Sequence, residues 1–355
     1  MLRVVLLGFV LVAGLAAAAA AGSPPKSRSR AVAKAGPGKK KTKAKPMPSC
    51  AKTVSPADAE SLQELIDQLD EGAVLCLSPG TYPVNLVLGK SVTLRGLGQP
   101  SQVVLDGARR ASVIKVGGDQ PQVVIERLTI RGGDSREGGG GIFKHSAGLL
   151  VVREVHFTDN RADEYGGAAL LHSGGETTVE RCRLQGNDGT VGGALIADYW
   201  GKVTVRDTLI TGNRGRPSVV YVHQACALEL SHVTIADNQA EVAVELKGIP
   251  AQQPSLVVRD SIVAAKVALQ NGPRFAGSAH LERCAIGGEL VGATLDRGNK
   301  MGVVELEGGD DPVLAYRPKA GSLAVGVAKP GSGLDLVGGN PGTTAGAIQV
   351  PALKH

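Results

Sequence analysis

The chain has 355 residues, of which 39 are Lys or Arg and 33 are Asp or Glu, and its formal net charge is +6. This excess is confined to the beginning of the chain, because eleven of the basic residues and none of the acidic residues precede Asp58. From Asp58 onward, 28 basic residues stand against 33 acidic ones, a net charge of 28 − 33 = −5. Nucleic-acid-binding domains carry a basic surface, so this balance excludes nucleic acid as a partner.

Residues 1–22 have the layout of a secretory signal peptide. Arg3 supplies a positive start, Val4 to Leu15 form an apolar run, and Ala16 to Gly22 offer small-residue cleavage positions. An N-terminal membrane anchor is the alternative, because the alanine tract lengthens the apolar segment. No later segment is long and apolar enough to span a bilayer. We therefore expect a mature chain without a transmembrane segment, either secreted, periplasmic or on the cell surface.

Residues 23–52 are rich in Pro, Ala, Lys and Ser and contain no acidic residue. No hydrophobic period runs through them, so they predict a basic, disordered tether. Such a tether is either an inert, solvated linker or a contact for anionic envelope polymers and lipid headgroups. Cys50 and Cys76 flank the entrance to the domain that follows, residues 53–312, and are the candidate disulfide pair.

A capping helix is predicted at the beginning of this domain. Ser55 is the expected N-cap residue, Pro56 takes the first helical position, and Gly72 ends the helix. Four apolar residues recur at helical spacing, namely Leu62, Leu65, Ile66 and Leu69. We expect this amphipathic helix to cover the open lower end of the structure that follows.

A repeat fills the middle of the chain. The last apolar residue before each turn recurs at intervals of 27, 27, 26, 25, 28 and 23 residues. These residues are Ile130, Phe157, Leu184, Ile210, Ile235, Val263 and Ile286. Apolar and charged residues alternate around them, as in strands with one buried face. Because each unit has too few apolar side chains for a core of its own, the units must stack. The predicted fold is all-β, a right-handed parallel β-helix of about nine coils spaced ~4.8 Å apart.

Two residue types recur at equivalent positions of the repeat. Four Asn residues close successive strands, where stacked side-chain amides can form a ladder of hydrogen bonds. They are Asn160, Asn187, Asn213 and Asn238. Cys182 and Cys284 are also equivalent but lie four coils apart, too far for a disulfide, so they are expected to be buried apolar fillers. Cys226 takes a different position and is the candidate free thiol.

One column of polar residues is the candidate functional site. The aligned segments GGGIFKHSAG, GGAALLHSGG, GGALIADYWG and PSVVYVHQAC hold at their seventh positions His145, His172, Asp198 and His223. Three aromatic residues lie beside this column, namely Tyr199, Trp200 and Tyr221. Three interpretations remain open: a structural column at a turn, a glycan-binding strip, and a metal or acid–base site of His172, Asp198 and His223.

The direction in which these side chains point depends on the strand that precedes them. Four residues two positions earlier are expected to face the core: Phe143, Leu170, Ile196 and Tyr221. Residues of equal parity share one face of a strand. The polar column therefore faces the core as well, unless the turn has begun.

The entrance segment LQELIDQLDEGAVLCLSPGTYPVNLVLGKSVTLRGLG resembles that of the pectin-lyase-like right-handed parallel β-helix superfamily. The FTDN segment at 157–160 and the GGA motifs at Gly166 and Gly192 are similar to repeats of polymorphic outer-membrane proteins. The tail from Tyr316 to Gln349 resembles the closing segment of exported bacterial β-helix repeat proteins, and we expect residues 313–355 to form an irregular C-terminal cap. The resemblance implies the fold but no single function, because this architecture hosts lyases, hydrolases, adhesins and phage tailspikes.

The catalytic segments of the superfamily's enzymes are mostly missing. The single Asp-Asp pair, Asp310-Asp311, falls near the predicted cap. A calcium-dependent lyase needs several carboxylates, which only Asp159, Asp163 and Glu164 could bring together on one turn. We therefore predict a non-catalytic glycan-binding protein or surface scaffold, with a polysaccharide or cell-envelope glycan as partner and no cofactor. The alternative is a polysaccharide lyase or glycoside hydrolase for an acidic polysaccharide, with calcium if it is a lyase.

Overall fold

The structure, a computed structural model, describes residues 48–274, 276–311 and 314–328. The predicted signal peptide, residues 23–47 of the predicted tether, and residues 329–355 of the predicted cap lie outside these ranges. Within the described ranges, no helix combines the length and the apolar character needed to cross a membrane.

The chain winds into a right-handed parallel β-solenoid of about nine turns, as predicted. The first coils contain β1 (Lys52–Val54), β2 (Ala73–Leu77), β3 (Gly80–Pro83), β4 (Leu86–Leu88), β5 (Val92–Gly96), β6 (Val103–Asp106), β7 (Ile114–Val116), β8 (Gln122–Arg131), β9 (Asp134–Ser135) and β10 (Ile142–Lys144). The middle coils contain β11 (Leu149–Thr158), β12 (Arg161–Tyr165), β13 (Ala169–Leu171), β14 (Glu176–Glu180), β15 (Arg183–Gln185), β16 (Asp188–Val191), β17 (Leu195–Ala197), β18 (Lys202–Thr211) and β19 (Ser218–His223). The last coils contain β20 (Ala227–Ala236), β21 (Val242–Lys247), β22 (Ser255–Arg259), β23 (Ile262–Asn271), β24 (Ser278–Glu282), β25 (Ala285–Val291), β26 (Thr294–Leu295) and β27 (Lys300–Met301).

These strands form three faces around one core. The first face contains β2, β5, β14, β22 and β24 and the first halves of β8, β11, β18 and β20. The second face contains β3, β6, β15, the second halves of the same long strands, and the first residues of β23 and β25. The third face contains β4, β7, β10, β13, β17, β19 and β21. A small sheet of β9, β12 and β16 lies between the second and third faces.

The repeat anchors stack one above another, which confirms the predicted parallel register. Phe157 is paired with Ile130 on one side and Leu184 on the other, and Ile210 is paired with Leu184 and Ile235. The last two anchors continue the stack. All of them are buried in the main core, so each coil contributes one rung to a continuous apolar interior.

The predicted Asn ladder is present. The side-chain amide of Asn160 donates to Asn187 Oδ1 at 2.9 Å, that of Asn187 to Asn213 Oδ1 at 2.9 Å, and that of Asn213 to Asn238 Oδ1 at 3.0 Å. The residue before each Asn takes the left-handed backbone conformation, for example Asp159 with a φ of 57°, which turns the Asn side chain inward.

The corner between the first and second faces carries alternating charges. Seven successive coils place a residue with a φ between 50° and 59° at this corner: Arg127, Glu154, Arg181, Asp207, His232, Asp260 and Arg283. The Arg181 guanidinium lies 3.0 Å from Glu154 Oε1 on the neighbouring coil, and in the adjacent column Arg206 lies 2.7 Å from Glu180 Oε2. Since like charges directly opposite each other destabilise a sheet, this alternation favours one register.

The N-terminal cap is shorter and tighter than predicted. Ser55 is the N-cap residue, as predicted, and Asp58 Oδ2 accepts hydrogen bonds from Ser55 N at 2.7 Å and from Ser55 Oγ at 3.0 Å. The first six residues, Pro56–Ser61, are a 3₁₀ helix, and the α-helix α1 covers only Leu62–Gln68. Its buried residues join the main core, so it covers the lower end of the solenoid.

The cysteines behave as predicted. Cys50 and Cys76 form a disulfide with a Cα–Cα distance of 5.7 Å. Cys182, Cys226 and Cys284 are free and buried. Burial raises the pKa of each of these thiols to about 12, which is typical of unreactive apolar fillers.

The described part of the C-terminal segment is irregular, with one short 3₁₀ helix at Leu314–Tyr316 and a second stretch of turns. Ala324, Val327 and Ala328 pack against Ile262 and Ala285. Those two residues lie on the outer side of the second face, so this segment covers a flank of the solenoid.

Candidate functional site

A groove on the outer side of the third face contains most of the predicted site residues. Alternate residues of β10, β13, β17 and β19 join the main core, and the residues between them form a separate outer cluster. The cluster consists of Leu170, Ile196 and Tyr221, with Phe143 and Val191 packed against it. The prediction that Phe143, Leu170, Ile196 and Tyr221 face the core is therefore wrong. They form the apolar floor of the groove, and the polar column shares their outward direction.

The polar column places His172, Asp198 and His223 on three successive coils. Asp198 Oδ2 lies 3.2 Å from His172 Nδ1, and Asp198 Oδ1 lies 3.2 Å from His223 Nδ1. Backbone hydrogen bonds fix the spacing, since His172 N donates to Lys144 O and Asp198 N to Leu171 O, both at 2.9 Å. With both Nδ1 atoms donating to the carboxylate, the Nε2 atom of each ring remains able to accept a proton or a hydrogen bond.

Asp198 is held in its ionised form. Burial acts to raise the pKa of this carboxyl, but the hydrogen bonds and charges of His223 and His172 outweigh it, so the pKa of Asp198 lies below its ordinary value. The carboxylate is therefore suited to accept hydrogen bonds from hydroxyl groups, or to orient an imidazole that transfers protons.

A cavity of about 430 Å³ lies over the floor, which is within the usual size range of ligand pockets. Of the predicted residues, its lining includes Tyr221, His172, Asp198 and His223. Six further lining residues were not predicted as site residues: Phe143, Tyr165, Leu170, Ile196, Gln224 and Lys247.

Two of the unpredicted lining residues, Lys247 and Tyr165, come from different parts of the structure. Lys247 pairs in register with His223, so it extends the polar column by one coil, and the alternating segment VAVELK carried that signal. Tyr165 belongs to β12 of the small outer sheet and forms part of the wall. Aligning the repeats does not locate Tyr165 in the groove wall, because the small sheet has three strands whereas the solenoid has about nine coils.

Three predicted residues lie outside the cavity lining. Tyr199 is 45% exposed, and its ring centroid is 4.6 Å from that of His172. Trp200 is 59% exposed on the same turn, and both residues have left-handed backbone conformations. His145 is exposed, with its ring centroid 5.3 Å from that of Phe143. The aromatic residues thus contribute a floor residue, Tyr221, and two exposed rings beside the groove.

A cationic pocket of about 540 Å³ adjoins the groove on the side toward the N-terminus. Its lining includes five basic residues, Arg109, Arg110, Lys115, Arg136 and Arg161, against the acidic residues Asp134, Glu137 and Asp163. Lys115 connects the two pockets, since it pairs in register with Phe143 and its Nζ lies 6.0 Å from that ring. Among the described residues, Arg110 and Arg136 have no ion-pair partner, so the pocket keeps free positive charge.

Two of the three acidic residues considered for calcium, Asp159 and Asp163, are engaged with arginines. Asp159 Oδ1 lies 2.6 Å from Arg109 Nη2, and Asp163 Oδ1 lies 2.8 Å from Arg161 Nη2. Across residues 48–274, 276–311 and 314–328, no group of three His, Cys, Asp or Glu side chains is arranged to hold a metal ion. In the polar column, the Nδ1 atoms of His172 and His223 both face the Asp198 carboxylate.

Comparison with known proteins yields similarities of fold. No family model and no curated protein matches the chain. An alginate lyase from Paenibacillus sp. str. FPU-7 is 14% identical with a TM-score of 0.47, covering 70% of this chain and 100% of that one. A pectin methylesterase mutant in complex with hexasaccharide IV is 12% identical with a TM-score of 0.40, covering 69% and 81%. Pectin methylesterase from carrot is 12% identical with a TM-score of 0.41, covering 74% and 90%. At these identities the likeness concerns the β-helix fold alone, and the fold itself is established by the strand pairing described above.

Proposed function

We propose that this protein binds a glycan in the outer groove of the third face, without converting it chemically. The observation that carries the proposal is the apolar floor on the outside of the solenoid. Ile196 and Tyr221 point away from the core, and hydrogen-bonding groups of Asp198, His223 and Lys247 border them. A sugar ring presents apolar C–H faces and polar hydroxyl edges, so this combination suits it.

The groove also suits a chain molecule. Its floor and its polar column repeat once per coil, so equivalent side chains recur every ~4.8 Å along the solenoid axis. A ligand that lies along this axis meets the same kind of contact several times. Tyr199 and Trp200, exposed beside the groove, add aromatic surface on which further rings can stack.

We also propose that the protein acts outside the cytoplasm, secreted, periplasmic or at the cell surface. The Cys50–Cys76 disulfide supports this, since disulfides persist in oxidising compartments. Expression of the full chain in its own host and immunodetection in cell fractions tests the proposal. The protein is expected in the medium, the periplasm or the surface fraction, and recovery in the cytoplasm alone would contradict it.

Binding is tested by titrating the purified protein with neutral and uronate hexasaccharides in a calorimeter. We expect saturable binding to at least one of them, and at least a tenfold weaker affinity for Asp198→Asn, which corresponds to about 1.4 kcal/mol. The matched control is Asp237→Asn, an exposed Asp at a turn of the second face. Equal affinities of both variants and the wild type would contradict the proposed site.

Catalysis on an acidic polysaccharide is the second candidate, and two observations favour it. The cationic pocket beside Lys115 provides positive charge next to the groove in an otherwise acidic domain. The His172–Asp198–His223 group resembles an acid–base arrangement, in which a carboxylate orients an imidazole that exchanges protons.

Product formation separates the two candidates. Prolonged incubation with polyuronates, with and without calcium, followed by mass spectrometry of the products, detects either unsaturated or hydrolysed fragments. The binding proposal predicts that no fragments appear. If fragments appear and vanish with His172→Gln, the catalytic candidate is correct and the non-catalytic proposal is wrong.

A further inference from the structure

One interior column of the solenoid, directly beneath the groove, contains a buried lysine. The column reads Val116, Lys144, Leu171, Ala197, Val222 and Leu246. All members except Lys144 belong to the apolar core. Lys144 is 1% exposed, and burial lowers the pKa of its amine to about 8. Burying an ammonium group lowers the stability of the folded chain unless its N–H groups donate hydrogen bonds to nearby acceptors.

The Lys144 amine is bonded to the turns that follow two neighbouring strands of the third face. Its Nζ donates to Ser146 O at 2.6 Å and to Gly174 O at 2.8 Å. The carbonyl oxygen of the same lysine accepts a hydrogen bond from His172 N at 2.9 Å. Lys144 therefore holds the chain both at His172 and two residues after it.

The turn after His172 needs such support. Ser173, Gly174 and Gly175 are three consecutive residues in the left-handed region, with φ values of 75°, 72° and 68°. For Ser173, which carries a Cβ atom, this conformation is unfavourable relative to an ordinary backbone. Without a fixed contact for Gly174 O, the turn can relax, and the orientation of the His172 ring changes with it.

A second interior contact holds the next turn. Cys226 Sγ donates to Gly201 O at 2.9 Å, and Gly201 ends the turn that begins at Asp198. A Cβ atom on Gly201 would lie 3.7 Å from Gly174 O, so the two supported turns are neighbours inside the solenoid. On the interior side of the site, the side chains of Lys144 and Cys226 thus donate hydrogen bonds to backbone carbonyl groups in the two turns.

We propose that Lys144 is a positioning residue, which fixes the turn after His172 from inside the solenoid so that His172 reaches Asp198 in the outer groove. Its importance for the protein's role rests on the proposed function, but the positioning itself is independent of any ligand.

Lys144→Met distinguishes positioning from mere filling of the interior. Methionine has a similar length and suits the apolar column, but it donates no hydrogen bond to Ser146 O or Gly174 O. We therefore expect the variant to fold while the His172–Asp198 contact is lost. A lysine that only fills space would leave that contact unchanged.

The contact is read from the ¹⁵N chemical shift of His172 Nδ1, recorded by ¹H–¹⁵N NMR of the full chain at one fixed pH and assigned with His172→Gln. Asp198→Asn defines the chemical shift of this nitrogen without its carboxylate partner. We expect Lys144→Met to move the chemical shift at least half of the way toward that value. The control, Leu88→Met, changes the same interior column two coils away and is expected to leave the chemical shift as in the wild type.

A wild-type chemical shift of His172 Nδ1 in Lys144→Met overturns the proposal. If this variant does not fold, Lys144→Gln, which keeps a polar donor but is too short to reach both carbonyls, is measured in the same way with the same two outcomes. Calorimetric titration with the hexasaccharides is a separate readout. Absence of binding to the wild type refutes the proposed function, whereas the NMR result alone decides the role of Lys144.

Discussion

Asn187→Ala removes the centre of the Asn ladder and is expected to destabilise the whole solenoid. The Asn187 side chain makes four hydrogen bonds. It accepts from Asn160 N at 3.2 Å and from Asn160 Nδ2 at 2.9 Å, and it donates to Phe157 O at 3.1 Å and to Asn213 Oδ1 at 2.9 Å. Both neighbouring Asn residues are buried, so water cannot replace the lost partner.

The expected loss follows from these four bonds. Asn160 N is left as a buried donor without an acceptor, which costs about 1–3 kcal/mol. Two of the other three groups keep a second partner, because Asn160 Nδ2 also donates to Ile130 O and Asn213 Oδ1 also accepts from Asn187 N. At roughly 0.5–1.5 kcal/mol for each of the three remaining bonds, the total loss in the free energy of unfolding is about 5 kcal/mol.

Urea-induced unfolding followed by far-UV circular dichroism measures this loss. The matched control is Asn85→Ala, which removes the same side chain outside the ladder, where Asn85 Nδ2 donates to Ser112 O at 3.1 Å, Ala111 O at 3.3 Å and Gly107 O at 3.4 Å. Because Asn85 is only half-buried, water can replace these bonds, and we expect the control to lose about 1 kcal/mol. A loss for Asn187→Ala no larger than that of the control would show that the ladder does not hold the coils together.

Three further predictions concern titration and thiol reactivity. Burial acts to raise the pKa of Glu180, but its hydrogen bond to Arg206 and the charges of neighbouring arginines outweigh burial and bring the pKa below 4.5. The unfolded chain therefore binds this proton more tightly than the folded chain does, and stability falls as the pH drops below about 4.5. Glu180→Gln is expected to flatten the decrease in melting temperature between about pH 5 and pH 3, and an unchanged slope would refute this. Burial lowers the pKa of His156 from 6.5 to about 4, so its contribution to stability is present above pH 6.5 and is lost as the pH falls to about 4. NMR is expected to show a neutral His156 ring at pH 5.5, and a midpoint near 6.5 would contradict its burial. The three free thiols are expected to resist a disulfide exchange reagent at pH 8 in the native protein and to react after unfolding, whereas rapid native reaction would contradict their burial.

The coil stacking was predictable because one apolar residue recurs at each turn. Phe157 and Leu184 have no other way to be buried than by stacking on equivalent residues, so the period alone indicates parallel pairing. The same logic predicted the Asn ladder, since an inward polar residue repeated in every coil finds its partners in its own copies.

The orientation of the third face was not predictable from hydrophobicity. Its strands β13 and β17 have only three residues each, and all three are apolar in both: Ala169, Leu170 and Leu171, then Leu195, Ile196 and Ala197. With apolar residues on both sides, no alternation distinguishes the core from the groove floor. The uniform apolar character is a consequence of the groove, whose floor is hydrophobic although it lies outside the core.

The sequence alone also did not predict the inward direction of Lys144 or the pairing of charges at the corner between the first and second faces. The sequence places Lys144 next to Phe143, and in an alternating strand with Phe143 in the core the lysine would be exposed. Only the register, which aligns it with Leu171 and Ala197, reveals that it points inward. The charges of Arg181 and Glu154 likewise acquire meaning only when the coils are stacked, because the two residues are 27 positions apart.

A crystal structure of the protein with the hexasaccharide that binds most tightly tests most directly whether the outer groove is the ligand site. The account predicts a sugar ring over Ile196 and Tyr221, with a hydroxyl group within about 3.2 Å of an Asp198 carboxylate oxygen. An ordered ligand on another face of the solenoid, with no sugar over this floor, would contradict it.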